Sequence, residues 1–404
     1  MTIRIGLIGK TNTGKTTFFN AATLGSGEVS NYPFTTKSAN SGVAYASTVC
    51  VHKEFGMNDT PKNSVCINGW RQIPLEIIDL PGLIKGAWMG KGLGNQFLTV
   101  ASQSDALLHI VDASGSVDAE GKITEAGTGD PVADIGDIEE ELVMWYLRLI
   151  ESNREKLSRL VGSGSTLGVA FSQVSGGIGV TEGHVQATLD ELKMDGKNFD
   201  DWSDQERKDF AWALRDISKP TLIVANKMDI PESAENFKRI QESYDDMFVV
   251  PSSAEAELTL RKAEKKGIIR YFPGEERFEV IDRSAVTERQ QEALLLIRRQ
   301  ILGEYLRTGV QFAINVEVFK LLRMNAVYPV YDPLKRTDKH GNVLPDVYMM
   351  PSGSTVQDLA RQIHTELSKG ILYAIDSRSG LRLPTDYHLK DRDVLSVVSA
   401  SRKK

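Results

Sequence analysis

Gly9-Lys-Thr-Asn-Thr-Gly14-Lys15-Thr16 sets two glycines, a lysine and a hydroxyl at the spacing of a phosphate-binding loop. Glycines let the backbone curl so that successive N–H groups converge on one phosphate. Lys15 would meet the β- and γ-phosphates as a point charge, and the Thr16 hydroxyl would coordinate Mg²⁺. The candidate contacts are Asn12, Thr13, Gly14, Lys15, Thr16 and Thr17. Asp79-Leu-Pro-Gly82 offers a carboxylate able to reach the Mg²⁺ shell through water, and a Gly82 N–H able to sense a γ-phosphate. Asn226-Lys-Met-Asp229 adds a base reader. Guanine presents two adjacent donors, N1–H and the 2-amino group, and the Asp229 carboxylate accepts both. Adenine would turn a lone pair toward Asp229, and paired hydrogen bonds of this kind reject the wrong base by about 10⁴. Asn226 would tie its loop to the phosphate loop, and the Lys227 stem would cover the base. Pro251-Ser252-Ser253-Ala254 follows, with the Ala254 N–H placed to meet the guanine O6.

These residues work together only if strands deliver them to one edge. Ile3–Ile8 is a short apolar run ending in Gly9, the pattern of a buried parallel strand. The helix Thr17–Leu24 stops at Gly25 and would aim its positive end at the phosphates. Val43–Val49 and Pro74–Asp79 read as an antiparallel pair. Ala106–Asp112, Pro220–Ala225 and Met247–Val250 alternate with helical patterns, which implies a mostly parallel sheet with helices on both faces. Binding crevices of such sheets lie at the C-terminal ends of the strands, where all four motifs fall.

Asp112 to Pro220 carries more helix than one crossover needs: Ile138–Leu160, Val185–Met194, and Glu206–Ile217 behind the capping box Ser203–Glu206. Residues 115–217 are therefore expected to form a helical insertion, flanked by a nucleotide domain at 1–114 and 218–305. Helices at Glu255–Lys266 and Glu288–Leu306 complete that domain. From Val327 the pattern changes to strands (Val327–Tyr331, Asp346–Met350, Val394–Val398) around one helix, Thr355–Leu367, with a capping box at Ser354–Gln357. That predicts a separate α+β module over 306–404, with its core at about 315–400.

The chain of 404 residues is 41% hydrophobic and 25% charged, which excludes global disorder and suggests two or three domains. No apolar run reaches a bilayer-spanning length, and the N-terminus lacks a signal-peptide pattern, so a cytoplasmic protein without membrane contact is expected. Cys50 and Cys66 cannot by themselves build a disulfide framework or a zinc site; they read as small buried residues on neighbouring strands. Six scattered His show no ligand spacing, and His109 reads as a core or strand-end imidazole. Net charge is −6, yet residues 315–404 hold 14 Lys+Arg against 10 Asp+Glu. A net +4 on the tail fits an anionic partner or a chance imbalance equally well.

Asn31-Tyr-Pro-Phe-Thr-Thr36, Asp79-Leu-Pro-Gly-Leu-Ile-Lys-Gly-Ala87 with Gly90–Phe97, and Ser253–Arg261 resemble the Obg-type family of translation-associated GTPases, and more closely its YchF-like branch. The tail, from Val327-Tyr-Pro-Val330 through Leu359 and Ile363-His364 to Asp393-Val-Leu395, resembles a TGS domain. The resemblance implies a P-loop GTPase fold with a C-terminal TGS domain of β-grasp type. It makes Thr36 the first switch threonine on Mg²⁺ and γ-phosphate, with Thr35 the less favoured choice. YchF proteins carry an altered base reader and use ATP; here Asn226–Asp229 is intact, which favours GTP. Leu83 stands where Ras-like enzymes keep a water-orienting glutamine, so slow intrinsic hydrolysis is expected. In related potassium-activated GTPases an asparagine at the position of Asn12 holds K⁺; the alternative is that Asn12 only closes the loop.

The combined expectation is a GTP/GDP switch hydrolysing GTP with Mg²⁺ and, through Asn12, K⁺. Its catalytic candidates are Lys15, Thr36 and Gly82. The loops 31–36 and 82–94 would order on the γ-phosphate. The expected partner is the ribosome or another RNA-containing body, met through the insertion and the TGS domain, with a monomer as default. Alternatives are an ATP-hydrolysing YchF-type protein, or a binding module with nucleotide as structural ligand.

Overall fold

A computed structural model describes residues 2–24, 41–82, 101, 103–174, 178–282 and 286–400. Thr35, Thr36 and Leu83 lie outside these residues, as do most of both expected switch loops.

Strands β1 (Arg4–Ile8), β2 (Ser41–Val49), β3 (Val65–Ile67), β4 (Trp70–Asp79), β5 (Ala106–Asp112), β6 (Thr221–Asn226) and β7 (Val249–Pro251) form one sheet. Its order is β2-β4-β1-β5-β6-β7, with β3 beside β4. β4, β1, β5, β6 and β7 run parallel, whereas β2 meets β4 antiparallel from Ser41↔Ile78 to Val49↔Trp70. Every residue of β5 and β6 is buried, as continuous apolar runs covered on both faces require. The registers Leu7↔Asp79, Asp112↔Asn226 and Ala225↔Pro251 bring the ends of five strands to one edge.

Between β5 and β6 the helix Pro131–Ser152 plays two parts. Ile138 and Leu142 pack toward Ile8, Ile78 and Leu107, while Tyr146 and Ile150 join a separate core with Phe171, Trp202 and Phe210. Its first half is thus the crossover helix of the sheet, so the helical addition proper starts within it rather than at 115. The Ser203–Glu206 capping box is formed in full, with Glu206 Oε2 accepting from the Ser203 N–H at 2.9 Å.

The tail also divides differently from expectation. Val310, Ala313, Ile314 and Val318 pack on β1 and β6 residues such as Ile5 and Val224, so 310–321 belongs to the nucleotide domain. After β7, β8 (Ile269–Arg270) and β9 (Glu279–Val280) pair antiparallel as a two-stranded ribbon. The sheet of the tail begins at β10 (Met324–Pro329) and includes β11 (Tyr348–Pro351), β12 (Ile371–Asp376), β13 (Arg382–Leu383) and β14 (Val394–Ser399), in the order β11-β10-β14-β12-β13. β10 and β14 are parallel and the other pairs antiparallel, with the helix Val356–Ile363 packed on them through Leu359 and Ala360. That helix starts one residue later than predicted: Thr355 and Asp358, not Ser354 and Gln357, make the capping box.

Candidate functional site

The segment after β1 turns sharply. Gly9 has φ +139°, and a Cβ there would lie 2.3 Å from the Ile110 carbonyl. Gly14, at φ +95°, caps the helix Lys15–Thr23, and a Cβ on it would sit 2.3 Å from Asn226 Nδ2. Only glycine satisfies both positions. Lys15 Nζ donates to the carbonyls of Gly9 and Lys10, which folds the side chain back over the loop. Burial holds its pKa down at about 8, partly offset by Asp79. Thr13 Oγ1 donates to the Lys10 carbonyl, and Lys10 itself is pinned by Asp134 on the crossover helix.

Thr16 Oγ1 donates to Asp79 Oδ2 at 2.7 Å. The other oxygen, Asp79 Oδ1, is buried and has no hydrogen-bond partner among the described residues. An aliphatic hydroxyl beside an under-satisfied carboxylate suits a hard divalent cation that keeps some of its waters, as Mg²⁺ does. Gly82 lies against the phosphate loop: a Cβ there would be 2.7 Å from the Thr11 nitrogen. A cleft of about 460 Å³ is lined by Thr11, Asn12, Gly14, Lys15, Thr16, Thr17, Asp79 to Gly82, and Lys227. A slightly larger hollow of about 510 Å³, bordered by Ser47, Trp70 and residues within 270–279 and 307–315, has no motif residue in its lining.

The base-reading loop is fastened to this cleft. Asn226 donates Nδ2 to the Thr13 carbonyl at 2.9 Å and accepts the Ala254 N–H at Oδ1, 3.1 Å away. Lys227, at φ +65°, reaches across to Asp112 Oδ2 (3.0 Å) and Ser116 Oγ (3.1 Å). Asp229 Oδ1 accepts from Ser253 Oγ at 2.6 Å, and Ser253 also caps the helix Ala254–Lys265 by accepting from the Ala256 N–H. Ser252 Oγ is buried with no partner among the described residues. The Ala254 N–H, expected on the guanine O6, is given to Asn226 Oδ1 in this structure, because Ala254 opens the helix after β7 beside the end of β6.

Residues 4–133 match the model of a 50S ribosome-binding GTPase. Residues 224–332 match that of the Obg-like GTPase YGR210-like, G4 motif-containing domain, and 337–399 that of the TGS domain. A GTP-binding protein of Methanocaldococcus jannaschii is 43% identical over 402 residues, covering 98% of this chain and 99% of that protein. The chain belongs to the Obg-like GTPase family. The crystal structure of a GTP-binding protein from Pyrococcus horikoshii OT3 is similar to it with a TM-score of 0.80 at 36% identity, over 98% of this chain and 100% of that one. The "Ribosome-binding ATPase YchF" of Bacillus subtilis is 27% identical over 322 residues, 77% of this chain and 80% of that protein.

In this Obg-like GTPase the sequence motifs missed the segment that links the two loops. Asp112 accepts from Ser114 N–H and Oγ, Ser116 N–H and Oγ, and Lys227 Nζ, which leaves it satisfied although only 1% exposed. Asn12, at φ +64°, donates Nδ2 to the Gly121 carbonyl at 2.9 Å, so residues after β5 also border the cleft. The signal was present: a buried acid ending an apolar strand, followed by Ala113-Ser-Gly-Ser116. Among the described residues no helix is long and apolar enough to cross a membrane.

Proposed function

We propose that the protein binds GTP and GDP and hydrolyses GTP slowly, as a switch engaging an RNA-containing partner. The observation that carries the base assignment is the Asn226–Asp229 loop, joined to Thr13 at one end and holding its Asp229 carboxylate on Ser253 at the other. A preorganised carboxylate at that point favours guanine's two donors and rejects adenine. Lys15, Gly14 and the N–H groups of residues 12–17 would cradle the β-phosphate, with Gly82 beside a γ-phosphate. Thr16 and Asp79 are the described residues that would hold Mg²⁺, and Thr36 is proposed as the third. The ion would neutralise charge on the phosphates.

With Leu83 after Gly82, this chain supplies no side-chain amide there to orient water. Unassisted turnover should be on the order of 10⁻³ per second or less. Ribosome binding by this chain is supported by its match to the 50S ribosome-binding GTPase model and by its likeness to the ribosome-binding ATPase of Bacillus subtilis. The helical addition and the TGS domain are the proposed contacts, and a monomer is the proposed state.

The test is displacement of a fluorescent GDP by GTP, ATP and ADP in Mg²⁺ and KCl. The expected result is that guanine nucleotides win by at least about 10³. ATP competing as well as GTP would instead align this chain with the ATPase named in Bacillus subtilis.

A further inference from the structure

Cys50, His52, Asp59 and Cys66 converge far from the nucleotide cleft, beside the TGS domain. One ligand atom from each lies within 4.8 Å of all the others. Cys50 Sγ stands 3.2 Å from Asp59 Oδ2, His52 Nδ1 3.3 Å from the same oxygen, and Cys66 Sγ 3.5 Å from His52 Nδ1. Four donors on a tetrahedral zinc ion with ordinary bond lengths stand about 3.4–3.8 Å apart. The side chains are therefore already spaced almost as a bound ion would hold them. We propose that Cys50, His52, Asp59 and Cys66 form a structural site for one zinc ion.

The donor set selects the metal. Two thiolates, an imidazole and one carboxylate are softer than Mg²⁺ or Ca²⁺ accept, and four protein ligands close a tetrahedral shell without an open position. Electrostatics agree. Arg71, fully buried on β4, donates Nη1 to Asp59 Oδ2 at 3.0 Å, and Cys66↔Arg71 is a strand register pair. Two thiolates and one carboxylate balance the two charges of Zn²⁺ and the one of Arg71, so the assembled cluster is neutral inside the fold. The Arg71–Asp59 pair alone explains Asp59 but gives no reason for two thiols and an imidazole to gather around it.

The site would also have a mechanical consequence. The loop between β2 and β3 carries the TGS domain: the Thr60 N–H donates to the Val343 carbonyl, the Lys62 N–H to the Pro345 carbonyl, and Asn63 exchanges two hydrogen bonds with Val347. Val51 packs with Tyr328 and Leu344 in the same seam. Zinc would cross-link the two ends of that loop and fix the platform on which the domain sits.

The full-length chain, purified without a metal-affinity tag and with reductant, should contain one zinc per molecule by plasma mass spectrometry. After removal of zinc, Co²⁺ should restore occupancy with thiolate-to-cobalt charge transfer and tetrahedral d–d bands. Cys66→Ser, at the more exposed of the two cysteines, should lose stoichiometric zinc while still binding fluorescent GDP. Should that variant not fold, metal content and the Co²⁺ spectrum of the unmodified protein decide alone. Negligible zinc with no Co²⁺ spectrum overturns the site. So does an intact mass short of two hydrogens, which would mean a Cys50–Cys66 disulfide, and so does full zinc content in Cys66→Ser.

Discussion

Asn226 donates its side-chain amide to the carbonyl of Thr13, 213 positions away in sequence and 2.9 Å away in space. The same side chain accepts the Ala254 N–H, so a single residue, 2% exposed, fastens the base-reading loop, the phosphate loop and the helix behind Ser253. Replacing it by alanine leaves one buried acceptor and one buried donor unpaired, at about 1–3 kcal/mol each. Asn226→Ala should lower the unfolding free energy by about 2–6 kcal/mol and weaken GDP binding at least about 30-fold. Denaturation and fluorescent-GDP titration check both; unchanged affinity would remove Asn226 from the site.

Asp229 and Ser253 divide the recognition of the base. Ser253 Oγ holds Asp229 Oδ1 at 2.6 Å, which fixes the carboxylate before any base arrives. Asp229→Ala should cost GDP about 10²–10⁴ in affinity, two hydrogen bonds to a charged group, and leave the weak ADP affinity unchanged. Ser253→Ala should cost about tenfold, since the carboxylate survives but loses its support. Equal losses for GDP and ADP in Asp229→Ala would show that the residue acts on the fold and not on the base.

Lys15 makes nucleotide binding sensitive to alkaline pH. Burial lowers its pKa to about 8. Phosphates stabilise the ammonium form, so the bound pKa rises above the free one. Below pH 8 affinity should be flat; above it, binding must take up a proton and weakens by up to about tenfold per unit. Guanine itself titrates in this range, so the comparison is with Lys15→Arg, whose side chain stays charged. Wild-type affinity should fall more steeply than that of Lys15→Arg between pH 8 and about 9.5; parallel curves would refute the assignment.

Most of this site could be read from the sequence because each motif ends a strand, and parallel pairing then dictates the rest. Leu7↔Asp79 and Asp112↔Asn226 follow once Ile3–Ile8, Pro74–Asp79, Ala106–Asp112 and Pro220–Ala225 are recognised as strands. Contacts that depend on side-chain reach escaped. Lys227 was expected to lie over the base, but nothing in its motif names Asp112 as the group its ammonium finds. β12 escapes the pattern because a register shift between Ile371 and Tyr373 breaks its alternation, leaving Leu372 53% exposed while Ala374 is buried. β13 has two residues, too few to show a period. Residues 310–321 went to the wrong domain because an apolar helix carries no mark of which core receives it. Cys50 and Cys66 alone remain too few for a zinc site; the proposed one needs His52 and Asp59, which only the fold brings within 4.8 Å of both thiols.

Asn12 separates two roles by its two side-chain atoms. Its amide nitrogen is engaged with the Gly121 carbonyl, which closes the loop, while an amide oxygen can still accept a cation. K⁺ seated there would spread positive charge over the phosphates where Leu83 offers no help. GTP turnover should then be faster in KCl than in NaCl at equal ionic strength, and Asn12→Ala should lose that difference. Equal turnover in both salts would leave Asn12 with loop closure only.

His109 should control part of the acid sensitivity of the fold. It sits in the centre of β5, paired with Ile8 and Ile223, and its Nδ1 is buried with no partner among the described residues. Burial first, then the positive charges of Arg215, Lys15 and Lys10, lower its pKa to about 3. The native imidazole therefore stays neutral, while the unfolded one takes a proton below about 6.5. Its contribution is fully present above pH 6.5 and is lost as pH falls, by up to about 1.4 kcal/mol per unit. Between pH 6.5 and 5 the wild type should lose about 2 kcal/mol more stability than His109→Gln. Other buried acids, Glu139, Glu257 and Glu317 among them, titrate in both proteins and cancel in the difference. Urea unfolding at several pH values measures it, and two parallel stability curves would mean that the imidazole gains a proton without leaving the core.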